Sequence, residues 1–449
     1  MRLYSVVHSA HSTTRTRIGR FASASAALAV VALTAACQSK ESQHGNPYGD
    51  IVAEEVPKIE KTIGLTFKTP PVVESRTKEQ VREFVLQQVT DTQAKRQIAG
   101  MEAAYKALGL IPDSLQLQKF LVDLLEEQIE GYYDPRTKVL YIVEGASKKS
   151  VRMTVSHELI HALQGQYVNL DSLQRHTENN DRRTAEAAVF EGQAIYEQLA
   201  SSSGQAGALP GGWERIRQLI RNNRSAMPIY SAAPLVIQET LLFPYLSGAE
   251  FVKTYKERTK GGVAFDDLPT STEQIMHPSR TYFGTRDEPT GVSFTPIPGV
   301  APIYENTLGE FETRIFLFQY LESQDEAVRG ATGWDGDRYI VFPTTGGNAI
   351  AWATVWDSRE DAADFYTLMQ RVVDVRKKWQ PSRGPSVTTG EVNGRPVVLY
   401  IDAPAGANTN MLTLDAVRVA KDMTKDTTKG SAKDTAGAAK TTTAPAKSR

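Results

Sequence analysis

The sequence predicts an α+β protein, in which a predominantly helical domain with one small edge hairpin precedes a small C-terminal α+β unit. Apolar residues recur at three- and four-residue spacings through much of residues 77–259, which indicates amphipathic helices. An Asp-Pro turn joins two aromatic and β-branched runs at residues 132–143, which indicates a hairpin. Beyond Gly333 the patterns follow the order β-β-α-β-β, which is typical of a small α+β unit.

The composition is that of an ordinary soluble globular protein. Hydrophobic residues make up 41% and charged residues 23%, which excludes disorder throughout and a polytopic membrane protein. A formal net charge of -1 argues against a nucleic-acid-binding protein, because neutralising phosphates needs a basic surface. Cys37 is the single cysteine, so an internal disulfide and a thiolate zinc cluster are both excluded.

Residues 1–36 are predicted to be a lipoprotein signal peptide. Residues 1–20 hold four arginines and no acidic residue, and the apolar run FASASAALAVVALTAA follows directly. The segment LTAAC, which ends at Cys37, resembles a bacterial lipobox. The resemblance implies an extracytoplasmic protein anchored to a bacterial membrane by lipid on Cys37, and Gln38 favours the outer membrane where the cell has one. The alternative is an ordinary cleaved signal peptide with an incidental cysteine.

The rest of the chain is predicted to fall into four segments. Residues 37–58 are largely polar and indicate a tether. Residues 59–330 would form the helical domain, and residues 331–415 would form the small α+β unit. Residues 416–449 are rich in Lys, Thr, Ala and Asp, and they are expected to be disordered because they cannot bury enough apolar surface.

Within these segments the patterns predict individual elements. Helices are expected at residues 77–108, 114–130, 150–168, 181–202, 213–224, 234–259 and 307–323. The small unit is expected to hold strands at residues 339–342, 349–356, 386–392 and 396–401, and a helix at residues 358–375 that starts with a capping box formed by Ser358 and Asp361.

The helix predicted at residues 150–168 contains the motif H-E-x-x-H. His157 and His161 are four residues apart, so both imidazoles lie on one helical face and can reach one metal ion. Glu158 is one step around the helix, where it can deprotonate a water molecule rather than bind the metal. Without a third ligand, the pair could equally be histidines that are solvated or hydrogen-bonded on a surface helix.

Glu191 is the candidate third ligand. It lies thirty residues after His161 in a small and apolar stretch of the next predicted helix, and Gly192 after it would let another helix or a ligand approach closely. A His-His-Glu set leaves a fourth position for water, which is typical of catalytic zinc. Glu186 is the competitor, and it would point roughly 140° away from Glu191 around the helix.

Together, HELIHALQGQY and the later glutamate in E-G-x-A context resemble the gluzincin type of zinc metallopeptidase, the thermolysin-like clan. The resemblance implies a zincin-like catalytic domain in which His157, His161 and Glu191 bind Zn²⁺ and Glu158 is the general base. It also implies that an edge strand, here Lys138–Val143, binds an extended peptide substrate. Three further motifs are similar to those of predicted bacterial metallopeptidases: YYDP, STEQIMHP and GWDGDRY.

The expected activity is therefore that of an endopeptidase acting on a peptide or protein. Zn²⁺ with two neutral imidazoles and one carboxylate keeps a positive charge, which lowers the pKa of a bound water towards about 7 and polarises a carbonyl. Glu158 would accept the proton and return it to the leaving amine. His277 is the candidate oxyanion donor, although Thr270 and Glu273 predict a capping box there and His277 could serve only the local backbone. Further candidates for the same role are Tyr196, Tyr230 and Tyr282.

The sequence is compatible with two other classes of function. One is a zinc-stabilised binding or assembly lipoprotein without turnover. The other is an adhesion or envelope-binding module that uses the C-terminal unit. Asp335-Gly336-Asp337 suggests calcium but lacks the other ligands of a calcium loop, so we expect a glycine turn that leads into the following strand. The sequence indicates no oligomeric state.

Overall fold

The computed structural model describes residues 48–145, 148–170, 178–203, 227–296 and 299–420. It has the mixed α+β class that the sequence predicts. The chain divides into two compact units, unit 1 up to Phe283 and unit 2 from Gly284 onwards. In the described ranges, no helix is both long and apolar enough to cross a membrane. The predicted signal peptide, Cys37, the helix predicted at residues 213–224 and residues 421–449 lie outside these ranges.

Unit 1 is mainly helical. Its helices are α1 (Gly49–Ile63), α2 (Lys78–Thr90), α3 (Thr92–Ala107), α4 (Leu117–Gln128), α5 (Lys148–Tyr167), α6 (Asn180–Ser203), α7 (Pro228–Ser231), α8 (Leu235–Thr259) and α9 (Thr272–Met276). Its strands are β1 (Val72–Arg76), β2 (Gly131–Asp134) and β3 (Val139–Val143). The predicted helix at residues 77–108 is two helices, because Asp91 has extended backbone and its side chain accepts a hydrogen bond from the Gln93 N–H, which caps α3.

The hairpin belongs to a three-stranded sheet with the order β1-β3-β2. β3 forms a parallel pair with β1 and an antiparallel pair with β2, so it is the central strand. The prediction that Lys138–Val143 forms an edge strand is therefore wrong. The prediction failed because β1 is a short segment, VVESR, that lies far from β3 in sequence. Local sequence patterns do not show which distant strand pairs with a hairpin. In the described part of unit 1, β2 is left as one edge of this sheet.

Helices α5, α6 and α8 form the interior of unit 1. Val155, Leu159 and Leu163 are buried together on one side of α5. α6 and α8 cross at two glycines: a Cβ built on Gly192 would lie 2.1 Å from the carbonyl carbon of Gly248. The expectation that Gly192 admits a close neighbour is confirmed, and the neighbour is the backbone of α8.

Unit 2 holds an antiparallel sheet with the order β5-β6-β7-β9-β8 and a separate pair of strands, β4 and β10. The strands are β4 (Gly291–Phe294), β5 (Tyr304–Asn306), β6 (Trp334–Thr344), β7 (Gly347–Trp356), β8 (Ser386–Val392), β9 (Arg395–Asp402) and β10 (Val417–Ala420), and the helices are α10 (Gly309–Leu321), α11 (Gln324–Ala331) and α12 (Arg359–Trp379). The predicted β-β-α-β-β order is confirmed as β6, β7, α12, β8 and β9. Ser358 caps α12 by accepting a hydrogen bond from the Asp361 N–H.

The predicted segment boundaries differ from those of the structure. The boundary between the two units was expected after residue 330, but it lies before Gly284. Residues before 330 belong to unit 2 because β5 pairs with β6. The Asp337 carboxylate also accepts hydrogen bonds from the Leu308 and Gly309 N–H groups at the start of α10. These links join distant parts of the sequence, whereas the prediction followed a local change of composition. The predicted tether overlaps α1, whose Val52 is buried, and the predicted tail overlaps β10.

Candidate metal centre

His157, His161 and Glu191 come together in the interior of unit 1. α5 carries the two histidines one turn apart, and α6 carries the glutamate on the helix packed beside it. The Nε2 atoms of His157 and His161 are 3.2 Å apart, and Glu191 Oε2 lies 3.4 Å from the first and 3.2 Å from the second. All three side chains are buried, with Glu191 0% exposed.

This triangle fits a metal ion. Ligands held tetrahedrally at about 2.0–2.1 Å from zinc lie roughly 3.3–3.4 Å apart, which matches the three distances. Glu191 Oε1 is buried and has no hydrogen-bond partner within the described chain, so a cation beside this carboxylate would offset the cost of burying it. Two imidazoles and one carboxylate are ligands that zinc accepts, and three protein ligands are typical of catalytic rather than structural zinc sites.

Glu186, the competing third ligand, lies apart from this triangle. It is on α6 and buried, and its carboxylate accepts a hydrogen bond from Arg182 Nε at 2.9 Å. The group whose ligand atoms all lie within 4.8 Å of one another contains Glu191 and not Glu186. The difference follows from helix geometry, because five residues turn a side chain well away from the first one.

Glu158 lies beside the triangle and contacts the sheet edge. It is 2% exposed, and its Oε2 accepts a hydrogen bond of 2.8 Å from the Tyr133 N–H of β2. Burial raises the pKa of Glu158, while the positive charges of His161 and His157 lower it in part. The carboxyl group is therefore tuned towards accepting a proton, which a general base requires. The Tyr133 amide was missed by sequence reasoning, since a backbone donor has no residue signature.

The buried carboxylate of Glu191 favours a positive charge beside it. Burial alone would lower the pKa of His161, but the negative charge and hydrogen bond of Glu191 raise it to about 9. Burial would raise the pKa of Glu191, and the adjacent histidines instead hold it well below its usual range. The interior of unit 1 thus holds a stable negative charge that faces two imidazole nitrogens.

Two further side chains contact the histidines, and sequence reasoning missed both. The Oε1 atom of Gln164 lies 2.8 Å from the Nδ1 atom of His161. The ring of Tyr245, on α8, has its centroid 6.1 Å from that of His157. Gln164 follows His161 by three residues and so shares its helical face, which was a usable signal. Tyr245 is distant in sequence and carried no such signal.

His277 lies at the C-terminal end of α9. Its N–H donates to the Glu273 carbonyl, and its own carbonyl accepts from the N–H groups of Arg280 and Thr281. It is half-buried and does not belong to the group formed by His157, His161 and Glu191. Its role as an oxyanion donor stays a prediction.

The N-cap predicted for α9 is shifted by one residue. Ser271, not Thr270, caps the helix, and its hydroxyl accepts a hydrogen bond from the Gln274 N–H, because the helix begins one residue later than the motif suggests. The tyrosines proposed as lesser candidates contact other groups: the Tyr282 hydroxyl donates to the Asp267 carbonyl, the Tyr230 hydroxyl donates to the Gln238 carbonyl, and Tyr196 lies beneath Lys256.

Asp335-Gly336-Asp337 in unit 2 serves the sheet. The three residues belong to β6 itself, and the register of β6 against β7 shifts at this point, so they form a bulge rather than the expected turn before the strand. Asp337 also accepts a hydrogen bond from Trp352 Nε1, and Asp335 forms an ion pair with Arg395. Partners within the protein thus occupy both carboxylates.

Comparison with known proteins reaches only unit 2. The family described as "Domain of unknown function (DUF8575)" matches residues 300–407. The match runs from before β5 to beyond β9 and so includes α10 and α11 with the sheet. No curated protein and no solved structure matches the chain.

Proposed function

We propose that the chain is a zinc-dependent endopeptidase of the gluzincin type, and the triangle of His157, His161 and Glu191 with Glu158 beside it carries the proposal. The three distances of 3.2–3.4 Å suit zinc, and the H-E-x-x-H motif supplies the base in the position that the mechanism needs. Zinc bound there would polarise the scissile carbonyl and activate a water molecule.

The residues of this chain have distinct roles in the proposal. Glu158 takes a proton at its carboxylate and returns it to the leaving amine, and its raised pKa suits that exchange. Burial of the centre excludes bulk water and strengthens the electrostatic interactions there. His277 is the donor proposed from sequence for the developing oxyanion, and Tyr245 is a second candidate because its ring contacts His157.

A peptide substrate would bind along β2 rather than β3. Backbone directions alternate in an antiparallel pair, and the Val143 N–H donates to Glu130 while the Lys138 N–H donates to Asp134. The N–H and C=O groups of Tyr133 therefore point away from β3, and its N–H reaches Glu158. β2 is buried and its Tyr133 N–H is bonded to Glu158, so a peptide added at this edge must first displace that bond, and it would then lie next to the candidate metal centre.

Metal content and cleavage test the proposal together. We would measure zinc in the purified protein for the wild type, Glu158→Gln, Glu191→Ala and the control Glu186→Gln, and then cleavage of a mixed peptide library. We expect about one zinc per chain in all but Glu191→Ala. Cleavage should be sensitive to chelators and should fall about 10²- to 10⁴-fold in Glu158→Gln. A wild type that holds no zinc would overturn the proposal.

The second candidate is a zinc-stabilised binding or assembly protein, and one observation favours it. The residues His157, Glu158, His161 and Glu191 are at most 2% exposed, so a peptide needs a rearrangement to reach them. Stoichiometric zinc, no cleavage of any peptide and a Glu158→Gln variant that retains the cellular function would support this candidate over the peptidase.

We also propose that the protein is extracytoplasmic and anchored to a bacterial membrane by lipid on Cys37, in the outer membrane where there is one. The charged start, the apolar run and the LTAAC segment support this location. The proposed partners are then a peptide or protein substrate and the membrane. The near-zero net charge argues against the binding of nucleic acid, because that binding needs a basic surface.

A further inference from the structure

We infer that Gln164 is a positioning residue of the metal centre, which orients His161 and joins the two ligand-carrying helices. Gln164 is 0% exposed, and its amide makes three hydrogen bonds. The inference rests on the metal-binding part of the proposed function and is independent of whether peptides are cleaved.

The hydrogen bonds of Gln164 determine which nitrogen of His161 carries a proton. Gln164 Nε2 lies 3.1 Å from the carbonyl oxygen of Phe190, and a carbonyl oxygen can only accept, so this end of the amide is the donor. The other end, Oε1, must then accept, and its partner at 2.8 Å is His161 Nδ1. With the proton held on Nδ1, His161 Nε2 is the atom that can bind a metal.

Gln164 also connects α5 to α6 around Glu191. Its Nε2 donates to the Phe190 carbonyl and, at 2.8 Å, to the side-chain oxygen of Gln193. Glu191 lies between these two residues on α6. One side chain therefore holds the helix that carries His161 against the helix that carries Glu191, and its loss would leave buried polar groups on both helices without their partner.

A glutamine elsewhere on α6 provides a matched control. Gln198 is 4% exposed, and its Nε2 donates to the carbonyl of Met153 on α5 at 2.7 Å. It joins the same two helices about 10 Å along the helix axis from Glu191. A change at Gln198 thus reports on helix packing, while a change at Gln164 reports on packing and on the orientation of His161.

The test compares zinc affinity, measured by competition with a chelator, in Gln164→Met, Gln164→Glu and Gln198→Met. We expect Gln164→Met to lower the affinity about 10- to 100-fold. Gln164→Glu keeps an acceptor for the Nδ1 proton but loses the N–H donors to Phe190 and Gln193, so it should retain more zinc affinity than Gln164→Met and less than the wild type. Gln198→Met should bind zinc as the wild type does. The absorption spectrum of bound Co²⁺ should change in Gln164→Met alone.

Several outcomes would overturn the inference. Equal losses of affinity in Gln164→Met and Gln198→Met would reduce Gln164 to a packing residue, and so would an unchanged affinity in Gln164→Met. If Gln164→Met does not fold, Gln164→Glu decides, since this variant keeps the acceptor for the Nδ1 proton and a changed Co²⁺ spectrum in it contradicts the orienting role. Zinc binding with the expected pattern but without any peptide cleavage would reject the peptidase alone, and a wild type without zinc would reject both.

Discussion

Glu191 keeps a full negative charge in the interior of unit 1, where such a charge is costly unless a cation faces it. His157 and His161 are its partners, and the raised pKa of His161 shows how strongly this carboxylate favours a positive charge on the imidazole. The H-E-x-x-H spacing and the isolated glutamate made these residues predictable. Tyr245 and the Tyr133 amide were not, because each acts through a contact between elements that local spacing does not encode, whereas Gln164 shares the helical face of His161 and could have been found.

Zinc binding should release a proton at neutral pH. The pKa of His161 is raised to about 9, so its imidazole is protonated at pH 7, whereas metal binding requires its Nε2 atom unprotonated. Zinc affinity should therefore increase as the pH rises towards 9 and become less dependent on pH above it. Calorimetry in buffers with different heats of ionisation gives the number of protons released. A release at pH 10 as large as that at pH 7 would contradict the prediction.

The oxyanion donor can be identified with two substitutions. Tyr245→Phe removes a hydroxyl from the residue against His157, and His277→Ala removes the imidazole proposed from sequence. We expect kcat to fall about 10²- to 10³-fold in the variant that lacks the donor, with its zinc content intact, and to be nearly unchanged in the other. Two variants that both cleave at the wild-type rate would remove both residues from the mechanism.

At the scale of elements, the close crossing of α6 and α8 holds Glu191 in place. A Cβ at Gly192 would lie 2.1 Å from the carbonyl carbon and 2.4 Å from the carbonyl oxygen of Gly248, and neither backbone atom can rotate away. We expect Gly192→Ala to lower the free energy of unfolding by at least about 1–3 kcal/mol and to weaken zinc binding. Chemical denaturation measures the first effect and chelator competition the second.

Gly384→Ala is the control for that substitution. A Cβ at Gly384 would meet its nearest atoms at 3.9–4.0 Å, which is ordinary contact, so this variant should be as stable as the wild type. Equal stabilities of Gly192→Ala and the wild type would contradict the close crossing.

The elements differ in how far the sequence determined them. α5, α6, α8 and the β6-to-β9 succession were predictable because periodicity and capping are local. The position of β3 was not, since β1 lies far away along the chain and converts a hairpin strand into a central one. For the same reason, the pairing of β5 with β6 and of β4 with β10 moved the boundary of unit 2.

At the scale of the whole molecule, the two units carry different kinds of information. The candidate metal centre lies within unit 1, whereas the family match at residues 300–407 lies within unit 2. The proposed chemistry therefore rests on the geometry of unit 1 alone.

The proposed anchor is tested by one substitution. Cys37→Ser removes the atom that would carry lipid, so the protein should move from the membrane fraction to the soluble fraction of its bacterial host. Because the proposed ligands are His157, His161 and Glu191, zinc content should be unchanged. Labelling with a radioactive fatty acid checks the modification directly, and a wild type that takes up no label would contradict the anchor.

The crossing of α6 and α8 has a consequence for how this protein can change in evolution. Gly192 meets the Gly248 backbone and Gly248 meets the Ala188 backbone, so neither glycine can be replaced while the other helix stays in place. The histidines are under no such constraint, because the shape of the helix pair does not depend on their chemistry. Descendants that lost the histidines would thus be expected to keep both glycines, and the pair would mark ancestry after the H-E-x-x-H motif had disappeared.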